Sequence, residues 1–418
     1  MQKSRLRRDL RLIDAVGVGL GAIIGAGIFV VTGVAAGIAG PGFLVGLLLA
    51  AQVATFNALS SAQLAATYPQ SGGTYEYGYR VLNPWLGFSA GWMFLVSKLA
   101  AGGTVALGFA GYFTTLFPAL PERLTAVLAV LLLMLVNLRG IRRSGQLNSL
   151  IVSVSVFSLI YFVVAGIPSF NPANLVPFAP YGWGNVLQSA ALLFFAYTGY
   201  ARLATLGEEV HAPKKTIPQA IILSLAISTV LYLAVAVVAV AAVGGTGMAR
   251  SASPLANAAR GFQFPAAGLV VVIGATTAML GVLFSQLLGI SRMMFAMARR
   301  SDLPAVLDHV HSVHAVPDRA ILVTGVLLVL IALFGTLEVI VAAASFTILL
   351  YYSIANLSAL RMHPEDKLFP DWVPALGLLS CLLLACTLRL ELILSGLALL
   401  LLGLFLRWLV HQKRRHDS

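Results

Sequence analysis

The sequence predicts an all-α polytopic membrane protein of about twelve transmembrane helices. Three observations carry that expectation. Of the 418 residues, 59% are hydrophobic and only 10% charged. Apolar runs long enough to cross a hydrocarbon core of about 30 Å recur along the whole chain. The basic residues fall almost entirely on alternate connections between those runs.

Counting the runs in order places spans at about 13–36, 41–66, 87–116, 122–139, 147–167, 186–207, 217–243, 265–298, 319–334, 337–360, 372–388 and 390–410. The first is too long for a removable signal peptide and lacks a small-residue cleavage site, so it is expected to stay as the first span. Connections of at most about 20 residues leave no room for a soluble domain. Cys381 and Cys386 both fall in the eleventh run and read as buried small hydrophobes rather than a disulfide or metal site.

The net charge of +12 would suit a nucleic-acid binder, but its distribution does not. Arg123, Arg250, Arg260 and Arg389 lie on odd-numbered connections. Nearly all other Lys and Arg lie on the even-numbered ones and on the two termini, including Lys3, Arg5, Lys214, Lys215, Lys413 and Arg414. That asymmetry is the positive-inside pattern. It implies a multi-pass cell-membrane protein with both termini cytoplasmic, lipid as its surroundings and no nucleic-acid partner. His211, His309, His311 and His314 sit in polar connections and read as solvated. Nothing resembles a nucleotide loop, a catalytic triad or a zinc motif, so no catalytic residue, metal ligand or cofactor is expected.

Span one carries Gly19-Leu20-Gly21-Ala22-Ile23-Ile24-Gly25-Ala26-Gly27-Ile28-Phe29. Glycine weakens a helix, so its use there needs a reason. One reading is close helix packing, which Gly21-x-x-x-Gly25 fits. The other is a break whose freed backbone groups bind a polar ligand. Span six repeats the irregularity in Phe194-Phe195-Ala196-Tyr197-Thr198-Gly199-Tyr200. Paired interruptions at corresponding positions of two five-span halves favour the second reading. An odd number of spans per half also forces the halves into opposite membrane orientations.

Further motifs follow in order. They are Tyr68-Pro69-Gln70-Ser71-Gly72-Gly73-Thr74-Tyr75, then Gly87-Phe88-Ser89-Ala90-Gly91-Trp92. After span six come Gly207-Glu208-Glu209, Pro213 and Ile217-Pro218-Gln219-Ala220-Ile221. After span eight come Arg292 and Ala298-Arg299-Arg300-Ser301-Asp302-Leu303-Pro304. Together with GAIIGAGIF this chain resembles the amino acid–polyamine–organocation superfamily of transporters. The resemblance implies the leucine-transporter fold, with an inverted repeat of five plus five spans and two peripheral helices. The organisation would be a basic cytoplasmic N-terminus at 1–12, a first repeat at 13–167, a second at 186–360, two final spans within 372–410 and a tail at 411–418. It implies a secondary amino acid transporter working by alternating access, with symport or antiport as its mode.

By the same resemblance, an amino acid substrate would lie between unwound segments of spans one and six. Its carboxylate would meet N–H groups of Ala26, Gly27 and Ile28, near Gly25, where a helix start favours an anion. Its ammonium would meet carbonyls of Ile23, Ile24, Phe195, Ala196 and Thr198. Phe195, Thr198, Ala101 and Gly102 would wall the side-chain pocket. No Asp or Glu falls mid-span near the site, which points to a neutral amino acid. A polyamine, organic-amine or cationic amino acid carrier of the same superfamily is the alternative. Asp14, Arg202, Glu208 and Glu209 are candidates for a cytoplasmic gate; for the two glutamates, solvated helix-end charge is the simpler reading.

Sodium-coupled relatives would need a hydroxyl pair on span eight. Met279, Leu280 and Gly281 offer none, and Ser285 lies further along. The lysine that proton-coupled relatives carry on span five corresponds to Ser155. Lys98, in the middle of span three, is instead the expected proton-coupling residue, with its ammonium reaching toward spans one, five and eight. Protons are therefore a second expected partner. Two other classes fit less well: a channel would need a charged pore ring, and an intramembrane enzyme would need an acid–base or metal constellation.

Overall fold

The computed structural model describes residues 10–68, 72–140, 145–204 and 210–417. Among these the chain is almost wholly helical, and the one β-type contact is an isolated parallel bridge between Leu10 and Val210. Seven helical segments among the described residues are long and apolar enough to cross a membrane: Leu12–Thr67, Pro84–Phe113, Gln146–Ser169, Lys215–Ala249, Ala267–Arg299, Leu337–Leu360 and Leu390–Gln412. The first covers two of the expected runs. Seven is fewer than twelve for a physical reason. The helices at Glu122–Leu138 and Asp318–Phe334 have 17 residues each. At a rise of about 1.5 Å per residue they reach about 25 Å, short of a full hydrocarbon core. Trp372–Cys386 is shorter still, and the sixth run is broken into pieces.

The first run is broken as well. Helix α1 (Leu12–Ile23) stops at Ile24, whose φ of −74° and ψ of 110° are extended. The chain restarts as a π-helical turn at Gly27–Val31 and continues as α2 (Thr32–Ala39). Gly40, at φ +59°, ends α2 in a region only glycine enters without steric cost. Pro41 then leads through a tight turn into α3 (Phe43–Thr67). Beyond the short α4 (Thr74–Tyr77), Asn83 caps α5 (Pro84–Phe113). The Asn83 Oδ1 accepts the Trp85 N–H at 3.0 Å and the Leu86 N–H at 2.9 Å, while Pro84 sits in the first turn, where no donor is needed. Helices α6 (Glu122–Leu138) and α7 (Gly145–Gly166) follow. The sixth run is α8 (Trp183–Leu193), a 3₁₀ stretch at Phe194–Tyr200, and α9 (Ala201–Ala204). The remainder comprises α10 (Pro213–Ala249), α11 (Pro254–Ala259), α12 (Ala267–Arg299), α13 (Asp318–Phe334), α14 (Leu337–Leu360), α15 (Trp372–Cys386) and α16 (Leu390–Asp417).

Helix α5 packs against α12, α13 and α14. Burying apolar surface does not draw helices together in lipid, so close van der Waals approach must. A Cβ on Gly102 would fall 2.7 Å from Leu328 on α13, and one on Gly108 would fall 2.6 Å from Val30. At the outer ring, α16 leaves Leu394, Leu401 and Phe405 exposed, an apolar face suited to acyl chains.

Charged side chains tie the N-terminal end of α5 to distant parts of the chain. Asp302, only 1% exposed, accepts the Tyr75 and Tyr79 hydroxyls at 2.7 and 2.6 Å and pairs with Arg407 Nε on α16 at 3.0 Å. Arg407 also donates to the Pro84 carbonyl at 2.9 Å and to the Tyr79 hydroxyl at 3.0 Å. Glu76 pairs with Arg80 at 2.6 Å and Arg300 at 2.9 Å. Burial pushes the Glu76 carboxyl up, but the hydrogen bonds and charges of those two arginines outweigh it and hold it below its ordinary value. A depressed carboxylate contributes stability that is present above its unfolded pKa and lost as pH falls through the folded one. Elsewhere, His309 keeps an exposed side chain, as its place in a polar connection suggested, and its Nδ1 also lies 2.7 Å from Asp318 Oδ1.

Asp302→Ala leaves Arg407 buried without its carboxylate and is expected to cost about 3–5 kcal/mol in detergent unfolding. Arg299→Ala removes a 3.6 Å pair whose side chains are 67% and 40% exposed, and is expected to cost under about 1 kcal/mol. Equal losses in the two variants would contradict the assignment of the buried pair as the structural tie.

Candidate functional site at the break of the first span

The break in the first run meets the 3₁₀ stretch of the sixth. Its local cause is visible in the sequence: glycines at 25 and 27 flank one alanine, so little side-chain packing favours a continuous helix. Two carbonyls beside the break are met by tyrosine hydroxyls from neighbouring helices. Tyr232 on α10 donates to the Ile23 carbonyl at 2.8 Å. Tyr112 on α5 donates to the Phe29 carbonyl at 2.6 Å and accepts the Leu255 N–H of α11 at 3.2 Å. At the restart, the first N–H groups have no acceptor within their own helix, as at any helix N-terminus.

The glycines also set how closely the two runs approach. A Cβ on Gly27 would fall 2.5 Å from Ala196 Cβ, and one on Gly199 would fall 2.5 Å from the Ile23 nitrogen. One on Gly25 would meet Val282 of α12 at 3.0 Å. Close packing and an interrupted backbone therefore occur together at these glycines. Gly27 and Gly199 let two backbones touch at the place where one of them is interrupted.

The sixth run departs from the unwound form that the resemblance implies. Phe194–Tyr200 stays wound as a 3₁₀ helix, and Thr198 Oγ1 donates to the Phe195 carbonyl at 2.9 Å, so that acceptor is engaged. Ile23, Ile24, Ala26, Ile28, Ala196 and Thr198 are all buried at this crossing. Phe195 is only partly buried and packs with Ala100 on α5 and with Ile340 and Ala344 on α14. Span three thus meets Phe195 through Ala100. Ala101 is buried beside it, and Gly102 turns to Leu328 instead.

Lys98 is partly buried on α5, its Nζ 5.5 Å from the Phe94 ring centre. Phe94 in turn meets Tyr351 on α14 at 5.4 Å. This sets the ammonium on the α14 side of α5, unlike the expected position among spans one, five and eight. Ser155 on α7 uses its hydroxyl on the Ile151 carbonyl at 2.7 Å.

Of the gate candidates, Asp14 accepts the Arg11 N–H at 2.9 Å, which is a helix-capping contact at the start of α1. Arg202 is exposed on α9, and Glu208 and Glu209 lie outside the described residues. The segment leading into α1 runs beside the one leading into α10, with His211 N–H donating to the Leu10 carbonyl at 3.0 Å. Cys381 is buried, but it is more than a small hydrophobe, because the Asn57 amide donates to its sulfur at 3.1 Å. Cys386 is exposed, contrary to expectation.

Tyr112, Tyr232, Ile340 and Ala344 were not anticipated. The tyrosines had a readable signal: a phenol at mid-span needs a partner for its hydroxyl, and a broken helix offers carbonyls. The α14 residues had none, because apolar residues on a tenth span look alike whether or not they face a site. A cavity of about 340 Å³ opens beyond the C-terminal end of α5, lined by Thr114, Glu122, Ser251, Ser253 and Arg260 among others.

Comparison with known proteins identifies the family. The amino acid permease family model matches residues 14–414. The chain is 44% identical to an uncharacterized transporter of Mycobacterium tuberculosis, over 95% of this chain and 90% of that one. It is 34% identical to the methylthioribose transporter of Bacillus subtilis, over 87% and 83% of the two chains. It is 30% identical to the branched-chain amino acid permease of the same organism, over 98% and 94%. A polytopic helical protein with a family match across nearly its whole length, this chain belongs to the amino acid permease family of the amino acid–polyamine–organocation superfamily and is a membrane transporter, not an enzyme.

Proposed function

We infer that the protein carries a neutral α-amino acid across the cell membrane by alternating access, with twelve spans in the leucine-transporter arrangement and both termini cytoplasmic. The observation that carries this reading is the break at Ile24–Gly25, held in backbone contact with Ala196 and Gly199 of the sixth run. The substrate carboxylate binds the N–H groups of Ala26, Gly27 and Ile28 at the restarted helix, where the free donors and positive dipole end favour an anion. The ammonium binds carbonyls around Ile23, Ile24 and Ala196. The Ile23 and Phe195 carbonyls already accept the Tyr232 and Thr198 hydroxyls, so each would meet the ammonium through its second lone pair.

The side chain rests among Phe195, Ala101 and the apolar surface of Ala100, Ile340 and Ala344. This lining is uncharged, which supports a neutral substrate over a cationic amino acid or polyamine. A relative named as a branched-chain amino acid permease points the same way. Asp14, Arg202, Glu208 and Glu209 form the cytoplasmic gate in this reading. The parallel run of the segments around Leu10 and Val210 supports it by bringing the two ends together. Transport proceeds by proton symport or by exchange, with Lys98 as the proton-coupling residue.

A ligand at about 100 times its Kd stabilises the folded state by about 2.7 kcal/mol. A thermal-shift screen of purified protein is expected to show such a shift for one or a few neutral amino acids and little for their methyl esters, which lack the anion. Esters or polyamines binding better than the parent amino acid would reject the site as drawn.

Lys98→Met keeps much of the side-chain volume and removes the charge. Proteoliposomes carrying it are expected to retain exchange of labelled for unlabelled substrate and to lose proton-driven accumulation. If wild-type uptake ignores pH and uncouplers, Lys98 has nothing to couple, and exchange or facilitated diffusion is the mode.

A further inference from the structure

The cavity of about 340 Å³ beyond α5 lies between two lips. One is the link from α5 to α6, and the other is the link from α10 through α11. Gly111 and Ala252, one from each lip, both line it and lie close together. A Cβ on Gly111 would fall 2.8 Å from Ala252 Cβ. The next residue, Tyr112, donates its hydroxyl to the Phe29 carbonyl, so the cavity adjoins the restarted half of the first run. None of the residues placed at the crossing of the first and sixth runs lines it. In the topology proposed above, it faces the outside.

The polar groups are divided between the lips by charge and by hydrogen-bonding sense. The α5–α6 lip offers acceptors. Thr114 Oγ1 donates to the Ala110 carbonyl at 2.9 Å, and Thr115 Oγ1 donates to the Tyr112 carbonyl at 2.7 Å. With their protons engaged, both hydroxyls present lone pairs. Glu122, at the first position of α6, adds a carboxylate where a helix start favours an anion. The α10–α11 lip offers donors. The Ser251 and Ser253 hydroxyls lie 3.2 Å apart, so one proton joins them and the other is left for a ligand. Arg260 adds a guanidinium, whose planar fork matches a carboxylate. Among the described residues neither Glu122 nor Arg260 forms an ion pair, with the other or elsewhere. Arg389, another of the few basic residues expected on that face, does pair, with Glu338 at 3.4 Å.

This division selects the ligand. A simple cation would suit the acceptor lip and face the guanidinium, and a simple anion would meet the reverse. A molecule that carries both charges satisfies both lips at once. The volume lies within the range of about 300–1,000 Å³ usual for small-molecule sites. Glu122 and Arg260 stand exposed at the rim, while Thr114 and Ser253 are buried, so a ligand can enter from the surface and meet polar groups within. We propose that this cavity is a second binding site, for a small zwitterion. Arg260 and the Ser251–Ser253 pair hold its carboxylate, and Glu122, Thr114 and Thr115 hold its ammonium. Naming the zwitterion as a neutral α-amino acid rests on the proposed function; the division between the lips does not.

A thiol reporter reads occupancy of this cavity separately from the crossing. Cys386→Ala removes the exposed native thiol and leaves the buried Cys381, and Leu120→Cys then places a new thiol on the cavity lining. Maleimide labelling of this full-length protein in detergent is timed with each neutral amino acid. It is repeated with the methyl ester, which lacks the anion, and the N-acetyl derivative, which lacks the cation, of any that protects. One or more neutral amino acids are expected to slow labelling several-fold, and their derivatives little. Glu122→Gln and Arg260→Gln are each expected to abolish protection and to leave the unfolding midpoint of the unliganded protein unchanged, because both side chains are exposed. Protection by an ester or an N-acetyl derivative as strong as by its parent would overturn the proposal. Protection that survives either substitution would also overturn it, since it would arise from the crossing. So would the absence of protection by every neutral amino acid. The two sites fail apart: a wild-type thermal shift without protection strikes this cavity, and protection without a thermal shift in Arg260→Gln strikes the crossing.

Discussion

A backbone amide inside hydrocarbon has no water to turn to, so every interruption of a membrane helix must be answered by another part of the protein. The break at Ile24–Gly25 is that interruption here, and much of the packing around it can be understood as the answer. Tyr232 reaches from α10 to the Ile23 carbonyl, and Tyr112 reaches from α5 to the Phe29 carbonyl. Each brings a whole helix with it. Tyr112 also engages Leu255 of α11, so a short helix after α10 is anchored to the same break. At the restart of the helix the first N–H groups have no acceptor within their own helix.

Close approach is the second requirement, and glycine meets it where an alanine would not. Gly27 against Ala196, Gly199 against the Ala22–Ile23 backbone and Gly108 against Val30 remove the same obstacle at three crossings. In lipid such contacts stand in for the hydrophobic drive that assembles a soluble core. One consequence is that loss of function on enlarging Gly27 would not by itself distinguish a blocked ligand from a displaced Ala196. Chemical variation of the ligand addresses the binding groups more directly than variation of the glycine.

Polar groups away from the break serve to hold segments in place. The buried Asp302 carboxylate gathers Tyr75, Tyr79 and Arg407, joining the stretch after α3, the loop after α12 and the end of α16. A buried pair of this kind contributes little net stability compared with an apolar contact of the same size, but breaking it strands a charge. The buried Asn57–Asn356 pair is uncharged and joins α3 to α14 through one side-chain hydrogen bond at 2.5 Å.

The membrane class, the approximate positions of the apolar runs, the irregular first and sixth runs and the family resemblance were all legible in the sequence. Each depends on local composition or on motifs in order: a run of apolar residues must find an apolar environment, and a glycine weakens a helix wherever it stands. Distant partners were not legible. Arg407 read as one more basic residue on the cytoplasmic side, and only packing set it on Asp302, more than a hundred residues earlier. Lys98 read as facing spans one, five and eight, and tertiary structure set it over Phe94 on the α14 side. The sixth run read as unwound, yet it stays wound as a 3₁₀ helix where Gly199 meets the Ala22–Ile23 backbone of the first run. Whether a break stays open or tightens depends on which groups from other helices reach its carbonyls. That is a property of three-dimensional packing, which no local stretch of sequence contains.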